Sequence, residues 1–204
     1  MASKVFIVYC SPAGTTRHAA RMIKESLHGA SAEVFPLDLG MSRNRSGFKK
    51  MIRDAGKGDC LFVGSPVYRD LAVPPVMSFI EELPRVKKVA AVPFVTWGAV
   101  TSGIALWQMG RALLQKGFVL AGAAAVVAEH CMMWRSNTPF GAGRPNTEDD
   151  RKLKAWVRKR FDQIQQVGVS PLALSTLDYQ DPAHAAEMKE KLGLDPHKPL
   201  VLLM

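Results

Sequence analysis

Acidic residues are scarce in this sequence. Asp and Glu total 18 against 27 Lys and Arg, a formal net charge of +9. Such a balance favours an acidic partner, a nucleic acid or an anionic ligand. The densest basic cluster, Arg151 to Arg160, alternates with Leu153, Trp156 and Val157, which reads as the solvated face of a helix. No nucleic-acid-binding motif accompanies the charge, so nucleic acid is set aside as a partner. Cysteine is also sparse. Cys10, Cys60 and Cys131 are odd in number and far apart, which excludes a disulfide framework and suits a reducing, cytoplasmic setting. Long apolar runs are missing: the longest, Val119 to Ala128, falls short of the roughly 20 residues a spanning helix needs, so no membrane insertion is expected. Charged, strand-like sequence begins at Lys4, leaving no room for a secretory leader there. No internal repeat or low-complexity segment is present. What remains is an ordinary globular composition, 48% hydrophobic and 22% charged over 204 residues, enough chain for one real core.

The segment Lys4 to Leu27 organises the rest. Val5 to Cys10 is a short apolar run of the kind found in a strand buried on both faces. Ser11-Pro12-Ala13-Gly14-Thr15-Thr16 follows, a turn rich in hydroxyls and free of acid. Ala19, Met22, Ile23 and Leu27 then recur at helical spacing, so a helix starts near Thr15 or Thr16. Strand, glycine turn and helix start together make an anion site. Unpaired amides and the positive end of the dipole face the loop, and Ser11, Thr15 and Thr16 supply hydroxyls. The expected ligand group is a phosphate.

Four further strand patterns follow. Ala32 to Leu39 is an edge strand marked by Pro36, Asp59 to Gly64 is a buried one, and Val89 to Thr96 and Phe118 to Ala128 are the fourth and fifth. Helices are predicted over Ser42 to Gly56, after Pro74-Pro75, over Ile104 to Lys116 with Gly117 as stop, and after Thr147-Glu148-Asp149-Asp150, which is expected to cap the last one. This last helix carries the stripe Leu153, Trp156, Val157, Phe161 and Ile164. Alternation of this kind implies a doubly wound α/β fold: a parallel sheet with helices on both faces and its ligand beyond the carboxyl ends of the strands. The loops that matter are therefore 11–16, 65–71 and 97–103, plus the aperiodic stretch 129–146. The last contains Met132, Met133, Trp134 and Phe140 and is expected to cover something. Residues 1–167 read as one domain. Residues 168–204 read as an extension with one short helix, Ala183 to Leu192, and an apolar end, Pro199 to Met204.

The three loops resemble those of flavodoxins, over Lys4 to about Gln166. In that family the first loop follows [ST]-x-[ST]-G-x-[ST] and wraps the phosphate of FMN. Ser11, Gly14 and Thr16 match, and Ala13 replaces a hydroxyl, removing one hydrogen bond worth about 1 kcal/mol. Arg17 is a candidate to compensate. The second loop, G-S-P-V-Y, is similar to the one that sets an aromatic near the flavin ring, here Tyr68. The third, T-W-G-A-V-T-S-G, is similar to the one that passes the pyrimidine edge, with Trp97 able to stack and glycines at 98 and 103 allowing close approach. The resemblance implies a five-stranded sheet of order 2-1-3-4-5 and FMN as cofactor. The implied cofactor-binding set is Ser11, Ala13, Gly14, Thr15, Thr16, Pro66, Val67, Tyr68, Thr96, Trp97, Gly98 and Gly103. Residues Met132 to Trp134 are expected to help enclose the ring. The runs W-G-A-V-T-S-G-I-A-L-W-Q-M-G and P-F-G-A-G-R-P-N-T-E-D-D look like those of flavodoxin–ferredoxin fusion proteins, although no Cys-x2-Cys-x2-Cys run for iron–sulfur clusters follows here.

Other readings of the same residues are weaker. Low-molecular-weight phosphatases need Cys-x5-Arg, and Cys10 precedes Arg17 by one residue too many. A nucleotide P-loop needs a lysine that Gly14-Thr15-Thr16 lacks. His130 and Cys131 are adjacent without a second ligand pair, so no metal is expected. His18 near the phosphate loop reads as a surface histidine. The resemblance implies electron transfer to or from an iron–sulfur or other redox partner, without a catalytic acid or base. An acidic ferredoxin suits the positive charge, which is also expected to ease formation of the reduced, anionic flavin. An NAD(P)H-dependent flavin or quinone reductase, which in this fold is often a homodimer, and a non-redox module that has lost flavin remain as alternatives.

Overall fold

The computed structural model describes residues 2–42, 44–133, 135–166 and 168–178, with Ala183, Ala186 and Glu190. The helix expected over Ala183 to Leu192 lies largely outside the described residues, and Trp134 and Pro199 to Met204 lie wholly outside them.

Strand β1 (Ser3–Tyr9) sits centrally, with β2 (Ala32–Asp38) on one side and β3 (Cys60–Tyr68) on the other, both parallel to it. Beyond β3 come a two-residue antiparallel partner, β4 (Leu71–Ala72), and the parallel strand β5 (Ala90–Trp97). The far edge is a strand in two pieces, β6 (Val119–Leu120) and β7 (Ala124–Val127), each parallel to β5. Counted by position, the strands run 2-1-3-4-5, the flavodoxin-like order. Pro36 lies on the edge strand β2, where its missing N–H deprives no neighbour.

Side chains alternate across the sheet. Phe6, Val8, Leu61 and Val63 enter one core layer with helices α2 (Arg45–Arg53), α3 (Pro74–Glu81) and α4 (Ala105–Gln115). Val5, Ile7, Cys60 and Phe62 enter the other with α1 (Thr15–Ser26) and α5 (Thr147–Gln166). Burying both faces explains why the strands read as continuous apolar runs. The α5 stripe is as expected, with Leu153, Val157, Phe161 and Ile164 buried. The cap of α5 differs: the Asn146 side chain, one residue earlier, accepts from the Glu148 and Asp149 amides at 3.0 and 3.1 Å, and the acidic residues occupy the first turn, where the dipole favours them.

Two further departures have physical causes. The third strand runs on to Tyr68, because Ser65 and Pro66 still pair with Val95 and Thr96 of β5. The fifth strand is broken rather than continuous. Leu120 faces Ala91 and Ala124 faces Phe94, so one extra residue bulges between them. The amides of Val119 and Ala121 bond to the carbonyls of Val89 and Ala91. By the same parity Pro93 faces this strand and has no N–H to offer, so the ladder fails there. Past 167, the chain returns to the sheet edge. Leu172 N–H bonds to Leu120 O at 2.8 Å, and Leu177 is buried in the α4 layer.

Candidate functional site

The carboxyl ends of β1, β3 and β5 open on one rim, and the turns that follow them meet there. The first turn is set by Gly14, which has φ +90° and gives α1 no side-chain cap; a residue with a Cβ is strained in this conformation. The hydroxyl of Ser11 instead accepts from the Arg17 amide at 2.9 Å. The amides of Thr15 and Thr16, at the first helical positions, have no carbonyl within the helix to receive them. No acidic side chain lies in this turn. The positive end of the helix is therefore open to an anion. Thr16 is buried, its hydroxyl 2.8 Å from that of Thr96 at the end of β5, and the Thr15 hydroxyl reaches the same oxygen at 3.5 Å.

The second turn is a hairpin between β3 and β4, with Val67 opposite Ala72 and Tyr68 opposite Leu71. Its two central residues, Arg69 and Asp70, have φ of 49° and 67°, as a two-residue turn of type I′ requires but non-glycine residues resist. The turn is held from both sides. Ser65 Oγ accepts from the Val73 amide at 2.9 Å, and Asp70 O accepts from the Ile104 amide at 2.9 Å. The third turn also contains a non-glycine residue at positive φ, Ala99 at 60°. Strain of this kind concentrates where a ligand or partner fixes the backbone.

Between these turns lies a cleft of about 450 Å³, within the usual range for a small-molecule site. Of the residues proposed from sequence, Ala13, Thr15, Pro66, Val67, Tyr68, Thr96, Trp97 and Gly98 line it. Ser11, Gly14, Thr16 and Gly103 do not. The first three shape or brace the turn that opens α1. Gly103 packs against the neighbouring hairpin: at φ +56°, a Cβ on it would lie 2.2 Å from the Asp70 carbonyl oxygen. Tyr68, 41% exposed, stands at the mouth. Trp97 is half-buried in the wall, its Nε1–H enclosed and without an acceptor among the described residues.

The fourth side of the cleft comes from Arg69 and from Ala128, Glu129, His130, Cys131 and Met132. Of these, only Met132 was expected at the ring. His130 and Cys131 stand out in the sequence only as an adjacent pair, and among the described residues no group of three His, Cys, Asp or Glu is placed to hold a metal. Glu129 and His130 lie against residues 140–144: their amides bond to the carbonyls of Arg144 and Phe140 at 3.0 and 2.9 Å. Cys131 Sγ lies 4.0 Å from the Tyr68 hydroxyl, closing the cleft at that end. Burial, and secondarily Cys131, pushes the Tyr68 phenol above its ordinary value. Burial likewise raises the Cys10 thiol, with Asp38 adding to it, so Cys10 has none of the character of a thiolate nucleophile.

Arg17 does not supply the hydrogen bond that Ala13 lacks. Its Nη2 and Nε bind Asp38 Oδ2 at 3.0 and 3.2 Å, at the end of β2. His18 is engaged with α5, its Nε2 2.7 Å from Asp150 Oδ1.

No protein-family model matches this chain, and no curated protein matches its sequence. Solved structures do match. A flavodoxin from the domain Archaea is 15% identical with a TM-score of 0.60, over 80% of this chain and 99% of its own. The oxidised flavodoxin 1 of Bacillus cereus is 15% identical with a TM-score of 0.59, over 79% and 98%. The rubredoxin oxygen:oxidoreductase of the anaerobe Desulfovibrio gigas is 24% identical with a TM-score of 0.60, over 79% of this chain but 36% of that one. These likenesses establish the flavodoxin-like fold. Among the described residues no helix is long and apolar enough to cross a membrane.

Proposed function

We propose that the cleft holds FMN and that the chain carries electrons to or from a redox partner. One observation carries this reading. An acid-free, uncapped helix start and an apolar cleft flanked by Tyr68 and Trp97 lie side by side on one rim, as a ligand with a phosphate and a planar ring requires. The fold shared with flavodoxins supports it.

The residues present fit the cofactor. Thr15 and the amides of the first turn would hold the phosphate by hydrogen bonds and by the helix dipole. Pro66, Val67, Tyr68, Trp97 and Gly98 would wall the ring, and Met132 would exclude water from its outer side. Bound FMN would supply the redox chemistry, so the chain's task is to bind, orient and tune it. With a formal charge of +9, the surrounding field favours a negative charge in the cleft and an acidic docking partner such as a ferredoxin. Placement as the flavodoxin part of a flavodoxin–ferredoxin fusion, with residues 168–204 as the extension beyond the flavin domain, belongs to the same reading.

The test is the visible spectrum of the purified protein before and after incubation with FMN and desalting. Retained flavin absorbance is expected; a colourless protein after this treatment would overturn the proposal. Slow reduction by NADPH in the absence of a partner separates a carrier from a flavin or quinone reductase, which bleaches rapidly. Association with an acidic ferredoxin should weaken as salt rises.

A further inference from the structure

His130 is a polar side chain of the cleft that neither the sequence motifs nor the reading above employs. Its position is tightly specified. A Cβ on Gly98 would lie 2.6 Å from the His130 Cδ2 and 2.8 Å from its Cγ, so the imidazole rests directly on the Gly98 backbone. Its own backbone is fixed on both sides, with its N–H on Phe140 O at 2.9 Å and its carbonyl accepting from Met133 N at 2.9 Å.

The ring nitrogens are distinguished by one contact. Nδ1 lies 3.3 Å from the Met132 amide nitrogen. An amide N–H can only donate, so Nδ1 is the acceptor and the neutral ring carries its proton on Nε2. Among the described residues no carboxylate lies within ion-pair distance of His130. Charged and titratable groups around the same cleft are Glu129, Arg69, Tyr68 and Cys131.

We propose that His130, with Nδ1 accepting from the Met132 amide and Nε2–H left to donate, is a specificity-determining hydrogen-bond donor of this cleft, selecting a planar ligand with carbonyl or ring-nitrogen acceptors on its edge. The proposal rests on the flavin reading and deepens it. A donor placed in a largely apolar wall discriminates strongly, because a ligand without an acceptor leaves it unpaired. Gly98 is then required as the seat of the donor, in addition to any direct approach to the ring.

Two variants and two readouts test this. Long-range 15N–1H NMR of the labelled protein reports the tautomer. Fluorescence quenching gives dissociation constants for FMN and for riboflavin, which lacks the phosphate. Wild type should show the Nε2–H tautomer. His130→Ala should weaken FMN and riboflavin by the same factor, about 5- to 10-fold, the worth of one ordinary hydrogen bond. His130→Gln, which keeps an N–H donor, should recover most of the loss, with melting temperatures of both variants close to wild type. An Nδ1–H tautomer, unchanged binding in His130→Ala, or equal losses in both variants with a drop in melting temperature would overturn the proposal. If wild type binds neither flavin, the FMN reading itself falls and this proposal with it; if wild type binds and His130→Ala binds equally well, only the role of His130 falls.

Discussion

The hydroxyls of Thr16 and Thr96 stand 2.8 Å apart, both on buried residues, and join the start of α1 to the end of β5. This contact fixes the turn that opens α1 relative to the turn that carries Trp97 and Gly98. Thr96→Val leaves the Thr16 hydroxyl buried and unpaired, at a cost of about 1–3 kcal/mol. The melting temperature should fall accordingly. The double change Thr16→Val with Thr96→Val should be less damaging than the sum of the single changes, since it removes both halves of the pair.

Ala13 lines the cleft at the position where a hydroxyl is missing, and Arg17, bound to Asp38, does not stand in for it. Ala13→Ser adds one donor beside the first turn of α1. A net hydrogen bond of about 1 kcal/mol tightens FMN binding about fivefold. Riboflavin should be unaffected, so the ratio of the two dissociation constants isolates the phosphate end.

The hairpin that presents Tyr68 depends on strained residues and a close approach. Gly103→Ala puts a Cβ onto the Asp70 backbone, at 2.2 Å from its carbonyl oxygen, and does so at φ +56°. Both effects push the 69–70 turn away, so stability and flavin affinity should fall together. Asp70→Gly relieves a positive φ of 67° and should raise stability by up to about 1 kcal/mol. Chemical denaturation with flavin-binding titrations checks both variants.

Asp149 ties the fourth wall of the cleft to α5. Its carboxylate accepts from the Arg144 guanidinium and from the Asn146 amide, and Arg144 O receives the Glu129 amide. The Arg144 hydrogen bond holds the Asp149 carboxyl below its ordinary value. A depressed folded value means that the contribution is complete above the unfolded carboxylate value, about 4, and is lost as pH falls through the folded one. Glu148 shifts the same way, to about 2, chiefly through Arg151, but its side chain is exposed. Acidification below about pH 4 should therefore release residues 129–144 ahead of the sheet. Amide exchange at Glu129 and His130 should accelerate there, and Asp149→Asn should show the same acceleration at neutral pH.

Much of this was legible in the sequence because it is local. The apolar run Val5 to Cys10, the hydroxyl turn and the spacing of Ala19, Met22 and Ile23 suffice for β1, its loop and α1. What was not legible depends on distant neighbours. Ser65-Pro66 has turn chemistry, yet it continues β3 because Val95 and Thr96 pair with it. The break in the fifth strand follows from Pro93 of the adjacent strand; within Phe118 to Ala128 its one local mark is Gly122, which sits at the break. At the cleft, Tyr68, Trp97 and the Ser11–Thr16 turn follow from strand ends. His130 reaches the site only because Gly98, on another loop, leaves room for its ring. Gly103 packs against the hairpin, a contact visible only once Asp70 is placed against it.

The central claim is that loops 11–16, 65–71 and 97–103 close on one ligand. Hydrogen–deuterium exchange with and without FMN tests it most directly. Protection is predicted in all three loops at once, together with 128–133, with one FMN per chain. Protection confined to a single loop, or no protection at an FMN concentration that saturates any spectral change, would contradict it.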